Sequence, residues 1–368
     1  MMKEKERVRL AEKKDAAAFC RLWKLCFDDS DAFCSWLFQN RFYPQYSVCL
    51  EKEGEILSAM QGVPYTIGVR GKNLQSVMLC GVSTHPAHRK KGYMRKIFTL
   101  EMELLHEKGL PLAVHTPAVL ESYFAYGHYP VADALYVQGE SLGEEGKHGR
   151  FYEKNQWAEL FPLYEKNIAS KYSGAIKRTK EEFLRKCDDY AADGGRCIVL
   201  KEETIQGYAF LYQIENQIIC PEAVAEEGYY GPLVKQIIGF AKGKKISVKL
   251  PPEVKLSHMG IETISMTKGV AGVCNIGALF KGLEIDCPYA VEIFDPIVAG
   301  NNGVFRFDGA KTSREAAIKV EAGRFLGVLM GYNALEDIRP FVTILNQDGY
   351  DFINGILPKC NCYIIDEY

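Results

Sequence analysis

The chain has 368 residues, 47% of them hydrophobic and 25% charged, with a formal net charge of -2. Such a balance excludes a disordered chain and fits two or three globular domains. A nearly neutral whole gives no general attraction for nucleic acid, so any anion site has to come from a local cluster.

From the amino terminus, Met1 to Arg9 is charged and lacks the apolar core of a signal peptide. Arg7–Ala11 reads as a short strand. Asp15–Phe27 carries Phe19, Cys20, Trp23 and Phe27 at three- and four-residue steps, the spacing of an amphipathic helix. The acidic run Asp28-Asp29-Ser30-Asp31 breaks that helix and caps the next, Ala32–Phe42, which carries Trp36. Tyr46–Glu51 and Glu55–Val69 are expected strands of a meander, joined at Glu53-Gly54. Val77–Thr84 is a strongly apolar strand, His85–Lys91 a basic loop, and Gly92–Lys108 a helix whose apolar side holds Ile97, Phe98, Met102 and Leu105. Pro111–Thr116 is a further strand, Ala118–Ala125 a short helix ended by Gly127, and Ala132–Gln138 a strand. Residues 1–140 are therefore expected to be α/β.

Ser141–Gly149 is small, charged and Gly-rich, the composition of a linker. Beyond it, helices at Asn155–Lys171 and Thr179–Tyr190, strands at Arg196–Glu202, Gln206–Glu215 and Gln217–Ala223, a helix at Tyr229–Lys242 and a strand at Ile246–Lys249 repeat the order of the first domain. This stretch, 150–262, has no basic turn like that of residues 88–95. Residues 263–368 change order again and are expected to be α+β. They end in an alternating stretch with Cys360, Cys362 and Ile364, in which the two cysteines would face the same way.

No stretch reaches the roughly 20 apolar residues that span a bilayer. A cytoplasmic protein is the expectation. None of the 12 cysteines forms a CxxC pair, so they are expected to be reduced, mostly buried thiols, with no metal site.

Most of the chemistry is concentrated at residues 77–96. An apolar strand runs into a tight loop, and the loop opens a helix. Helix amino termini carry unpaired N–H groups and partial positive charge, a ready anion site. Arg89, Lys90, Lys91 and Arg95 add charge at that end, and Gly92 lets a bulky ligand approach the backbone. Cations at a helix amino terminus oppose its dipole and cost stability unless an anion compensates them. The plainer alternative is a solvated basic turn before an ordinary helix.

The run Arg89-x-x-Gly92-x-Met94 resembles the acyl-CoA-binding motif R/Q-x-x-G-x-G/A of the GNAT superfamily, departing from it at Met94. The three-part layout resembles the Eis (enhanced intracellular survival) family of bacterial acetyltransferases. That resemblance implies tandem GNAT domains, the second degenerate, followed by a domain similar to sterol carrier protein 2. It also implies acetyl-CoA as co-substrate, with Val82 and Thr84 pairing through their backbones with the pantetheine arm. The amides of Arg89, Lys90, Lys91, Gly92, Tyr93, Met94 and Arg95 would hold the pyrophosphate.

Aminolysis of a thioester needs a deprotonated amine, a polarised carbonyl and a proton for the departing thiolate. A tyrosine, with a reference pKa of about 10, keeps such a proton at neutral pH. Three follow the second strand: Tyr123, Tyr126 and Tyr129. Tyr123 resembles the general acid of the Eis pattern Y-x-x-[FY]-G, with Tyr126 as a packing aromatic; the alternative for Tyr123 is packing too. The resemblance implies the terminal carboxylate of Tyr368 as base, against the alternative of a frayed tail. Asp28, Asp29, Trp36 and Glu367 are candidates for binding a cationic amine, against plain helix capping and solvated charge. The acceptor is then a small molecule bearing a primary amine or a protein lysine. Aminoglycosides are what the resemblance suggests, yet no residue separates them from polyamines or protein lysines. Nucleic acid is not expected, and a homo-oligomer is left open. The competing function is a binding module whose carboxy-terminal domain holds a lipid or other apolar ligand, kept open by the apolar density of Gly323–Tyr332, beside a vestigial transferase domain.

Overall fold

The computed structural model describes residues 6–140, 150–256 and 262–367. The expected linker at 141–149 and Tyr368 lie outside the described residues. The chain divides into two compact units: residues 6–131 with Gly269–Cys360, and Ala132–Lys268 with Asn361–Glu367.

The first unit begins with β1 (Arg7–Leu10), α1 (Ala16–Cys26), α2 (Asp31–Asn40), β2 (Ser47–Lys52), β3 (Glu55–Val69), β4 (Lys72–Thr84), α3 (Tyr93–Glu107) and β5 (Leu112–His115). A 3₁₀ turn, Leu120–Tyr126, leads to β6 (Tyr129–Glu140), whose first residues belong to this unit. α1 and α2 form because their apolar residues recur at helical spacing; Phe19, Leu22 and Trp23 meet Cys34, Leu37 and Phe38 in one buried cluster. The cap of α2 is Ser30 rather than an aspartate, with the Phe33 N–H donating to its Oγ at 3.1 Å. β3 and β4 make one long hairpin, and both residues of its turn, Arg70 and Gly71, are left-handed, at φ 47° and 79°. That is the dihedral signature of a two-residue turn matched to the strands' twist. The strands lie in the order β1-β2-β3-β4-β5, with β5 parallel to β4. Ile97, Phe98, Met102 and Leu105 of α3 pack on Val48, Leu50, Met60, Val77 and Leu79 of the sheet. Each such side chain contributes about 1.5–3 kcal/mol through burial.

The second unit holds the rest of β6, then β7 (Arg150–Tyr152), α4 (Phe161–Tyr164), α5 (Lys180–Ala192), β8 (Arg196–Lys201), β9 (Ile205–Ile214), β10 (Gln217–Ala225), α6 (Tyr230–Ala241), β11 (Lys245–Leu250) and the first half of β12 (Glu262–Val273). Its order is β6-β11-β10-β9-β8-β7, with β11 parallel to β10. The single helix expected at Asn155–Lys171 is instead a 3₁₀ turn at Lys154–Leu160, the short α4, and a π-helical turn at Glu165–Ala169. Pro162 explains the break, because it has no N–H to continue the preceding turn.

The tail Asn361–Glu367 belongs to this unit, and it is not the expected strand. Its ladder is reduced to one parallel bridge, Ser173 to Cys362. Tyr363, Ile364, Ile365 and Asp366 are all buried in succession. Cys362 is buried and Cys360 exposed, so the two do not share a face. Polar groups anchor the tail: Lys249 Nζ donates to the carbonyls of Ile364 (2.9 Å) and Ile365 (3.1 Å), and Arg178 donates to Glu222 (2.8 Å) and Asp366 (2.9 Å).

The chain completes the first unit with the end of β12, where Val270–Val273 pair antiparallel with β5, and with α7 (Ile276–Leu283), β13 (Ala290–Phe294), β14 (Gly303–Arg306), β15 (Ala316–Glu321), α8 (Ala322–Met330), β16 (Val342–Ile344) and α9 (Gln347–Ile356). A four-stranded sheet, β14-β13-β15-β16, packs around Phe280, Phe307 and Phe325. Arg70, in the β3–β4 turn, donates to the carbonyls of Val328 and Leu329, both at 2.9 Å, and of Pro358 at 2.7 Å. At the end of α8 the Gly331 N–H already donates to the Val328 carbonyl at 3.0 Å, and Arg70 adds a side-chain donor there and at Leu329. Among the described residues no helix is long and apolar enough to cross a membrane.

Candidate active site

The centre of the first unit is a strand that leaves its neighbour. β4 pairs with β3 along its whole length but with β5 only from Ser76 to Met78. Beyond Met78, β4 runs on to Thr84 while β5 ends at His115, so this edge of β4 loses its strand partner. The register against β3 also shifts, with Ala59 opposite Ser83 but Gln61 opposite Cys80. Gly81 lies at that bulge with φ +58°. A Cβ there would come within 2.2 Å of the Trp23 ring, so only glycine fits beneath the indole. The His85 N–H donates to the Leu57 carbonyl on β3. By strand alternation, Val82 and Thr84 therefore turn their peptide groups to the opposite, unpaired edge. On that edge the Thr84 carbonyl already accepts from Arg89 Nε (3.3 Å) and Cys26 Sγ (3.6 Å).

The unpaired edge runs into the basic turn. Pro86–His88 forms a 3₁₀ turn, Lys90 and Gly92 are left-handed at φ 63° and 75°, and Gly92 caps α3 with no side-chain partner. Alternation of left-handed residues gathers successive amides into a concavity suited to anions. The first bond of the helix is Lys96 N–H to the Gly92 carbonyl at 3.3 Å. The amides of Tyr93, Met94 and Arg95 thus precede any helical acceptor. No atom lies within 4 Å of a Cβ built on Gly92, so there is room for a bulky ligand. Met94, where the motif has a small residue, packs against the hydrophobic cluster under α3. Among the described residues no carboxylate pairs with Arg89, Lys90, Lys91 or Arg95. Arg89 contacts Cys26 and Thr84, Lys91 meets His88 Nδ1 at 3.3 Å, and Arg95 lies over the Tyr126 ring at 5.3 Å.

Tyr123 lies in the 3₁₀ turn that follows β5. Gly127, left-handed at φ 72°, ends that turn, and the His128 N–H closes it on the Tyr123 carbonyl at 3.3 Å. Tyr123 is buried to 9% exposure, in the same hydrophobic cluster that Val82 and Met94 pack against. Burial, helped by Tyr126, pushes its hydroxyl up to about 12, so it stays protonated at neutral pH. Tyr126 packs on Phe98 at 4.7 Å, as a structural aromatic would. Tyr129 donates to both carboxylate oxygens of Glu321, at 2.9 and 3.1 Å.

Sequence reasoning missed two residues here. The His115 ring meets the Tyr123 ring edge-on at 4.3 Å, and His115 Nε2 lies 3.0 Å from His128 Nδ1. Both imidazoles are fully buried. Burial holds His128 down at about 3, and burial together with His128 holds His115 well below its usual value. Their only signal in the sequence is a histidine on either side of the tyrosine turn.

The other candidates are less gathered. Asp28 is exposed. Asp29 accepts from the Trp23 indole at 2.7 Å, which holds the ring that lies over Gly81. Asp31 pairs with Lys24. Trp36 is half-buried against the α1–α2 cluster. Glu367 belongs to the second unit, where its carboxylate takes bonds from Lys249 (2.6 Å) and Tyr136 (3.3 Å). Burial raises its pKa, and Lys249 and Lys268 more than offset that, leaving it below the usual carboxylate range. The terminal residue, Tyr368, lies outside the described residues.

Residues 7–131 match the acetyltransferase (GNAT) domain family. Three solved structures share the fold over 99% of this chain and all of their own. A conserved protein of Enterococcus faecalis V583, described as a probable N-acyltransferase, superposes with a TM-score of 0.80 at 14% identity. A GCN5-related N-acetyltransferase of Anabaena variabilis ATCC 29413 gives 0.77 at 12%. Eis1 of Mycobacterium abscessus gives 0.73 at 13%. At such identities the likeness is one of fold. No curated protein matches the chain by sequence. The amino-terminal part of the first unit is a GNAT acetyltransferase domain, and the protein is an acyltransferase.

Proposed function

We propose that this acyltransferase moves an acetyl group from acetyl-CoA to a primary amine by direct attack, with Tyr123 as general acid and the terminal carboxylate of Tyr368 as base. The observation that carries the proposal is the unpaired edge of β4 running into a helix amino terminus where Arg89, Lys90, Lys91 and Arg95 have no carboxylate partner among the described residues. Val82 and Thr84 would hold the pantetheine arm from that edge, and the amides from Arg89 to Arg95 the pyrophosphate. The base takes a proton from the attacking nitrogen. The carbon–nitrogen bond forms as the carbon–sulfur bond breaks, Tyr123 passes its proton to the sulfur, and it regains one from solvent. Support for the base comes from the tail before it, buried through Asp366 and tied to Lys249 and Arg178 rather than frayed.

The same proposal treats the second unit as a silent GNAT-like copy. Its strands and helices repeat the order of the first. The junction between β10 and α6, however, reads Glu226-Glu227-Gly228-Tyr229, acidic where the first unit is basic. Such a junction repels a pyrophosphate. The carboxy-terminal part of the first unit is proposed to be the domain similar to sterol carrier protein 2. Phe280, Phe307 and Phe325 are buried there and pack on one another.

Titration calorimetry with acetyl-CoA, paired with a screen of amines by release of free CoA, tests the proposal. Micromolar binding and turnover of an amine are expected. Absence of binding at tens of micromolar would end it.

A further inference from the structure

The turn that carries Tyr123 is held from the far end of the sequence. The carbonyl of Gly127, which closes the turn, lies against the first helical turn of α8. A Cβ on Gly323 would come within 1.9 Å of the Gly127 oxygen and 3.0 Å of the Tyr129 ring. The neighbouring Glu321 accepts the Tyr129 hydroxyl with both oxygens, at 2.9 and 3.1 Å. Arg324 reaches Glu321 at 3.5 Å and spreads its guanidinium over the Tyr129 ring at 4.4 Å. Tyr129 in turn stacks on Phe124, inside the tyrosine turn, at 5.5 Å. Every one of these residues belongs to the first unit.

We infer that Gly323 and Glu321 are positioning residues for Tyr123. The bare backbone of Gly323 sets how closely the turn approaches α8, and Glu321, through Tyr129, fixes the chain just after it. Displacing a catalytic group by about an ångström can cost a hundredfold in rate. That sensitivity gives a contact remote from the acyl group a direct effect on turnover. The inference rests on the general-acid role proposed for Tyr123.

A double-mutant cycle tests it. Gly323→Ala places a good helix former in α8, so the helix itself is not weakened. The new methyl nevertheless forces Gly127 away. The expected result is a fall in kcat of about tenfold or more, with acetyl-CoA affinity within about twofold of wild type. In a Tyr123→Phe background the same substitution should cost less than about twofold, because the group it misplaces is gone. Tyr129→Phe, which keeps the ring and removes the bond to Glu321, serves if Gly323→Ala does not fold, and should show the same loss of effect in that background. Equal losses in both backgrounds, or no loss in the first, overturn the inference alone. Full turnover in Tyr123→Phe itself ends both the inference and the general-acid role.

Discussion

His115 Nε2 and His128 Nδ1 lie 3.0 Å apart in a fully buried pair, one member of which meets Tyr123 edge-on. Burial keeps both rings neutral, and Gly272 leaves the space for His128, since a Cβ there would be 2.2 Å from the imidazole. Neutral rings of this kind shape the surroundings of Tyr123 without supplying a base that titrates near neutrality. Their depressed pKa values also make them acid-sensitive. The unfolded chain binds protons at about 6.5 and folded His128 only at about 3, so its contribution is complete above 6.5 and is lost as the pH falls towards 3. Chemical unfolding at pH 7 and pH 5 should show His128→Gln losing about 2 kcal/mol less than wild type on acidification. Parallel losses would contradict this.

Glu101 has the opposite sign. It is fully buried on α3 with no hydrogen-bond partner among the described residues, and burial pushes its carboxyl up to about 8. Stability from the neutral acid is complete below about 4.5 and is lost as the pH rises through 8. Between pH 5 and 8 wild type should lose on the order of 3 kcal/mol through this group. Glu101→Gln should remove that slope in denaturant melts.

Tyr123→Phe keeps the packing on Phe98 and His115 and removes only the hydroxyl. Turnover should fall by about two orders of magnitude, the usual scale of a lost general acid, while acetyl-CoA affinity stays within about twofold. Unchanged turnover in a free-CoA assay would remove the role from this residue.

Neutralising Lys90 and Lys91 together should weaken acetyl-CoA and strengthen the empty protein. Neither has a carboxylate partner among the described residues, and both oppose the dipole of α3. Melting without ligand should rise slightly, by about 0.3–1 kcal/mol of stability, while calorimetry shows weaker binding. A loss of stability would mean that the turn is held by its cations.

A few residues added after Tyr368 should damage turnover and leave acetyl-CoA binding intact, because they remove the terminal carboxylate. A fully active tagged enzyme would dismiss Tyr368 as the base.

The strand, basic turn and helix at residues 77–107 were legible because their signals are local: apolar alternation, a charge run, a glycine, then helical periodicity. Contacts between distant residues left no trace. His115 and His128 are thirteen positions apart and meet through packing. Gly323 and Gly127 look like ordinary glycines until the fold brings them together. The tail misled because Cys360, Cys362 and Ile364 alternate, whereas burial there is continuous from Cys362 to Asp366 and the backbone is held by side chains instead of a ladder. The bond from the Trp23 indole to Asp29, which holds the ring that requires Gly81 in the bulge, likewise had no signal in the sequence.

The placement of Asn361–Glu367 within the second unit also imposes a timetable. Arg178 and Lys249 are made long before Asp366 and the carbonyls of Ile364 and Ile365, and residues 269–360 are synthesised in between. While the chain is growing, the second unit has its strands but not its closing segment, and two cations destined for burial still lack part of their partners. That unit can reach its final state only after residues 269–360 have been translated.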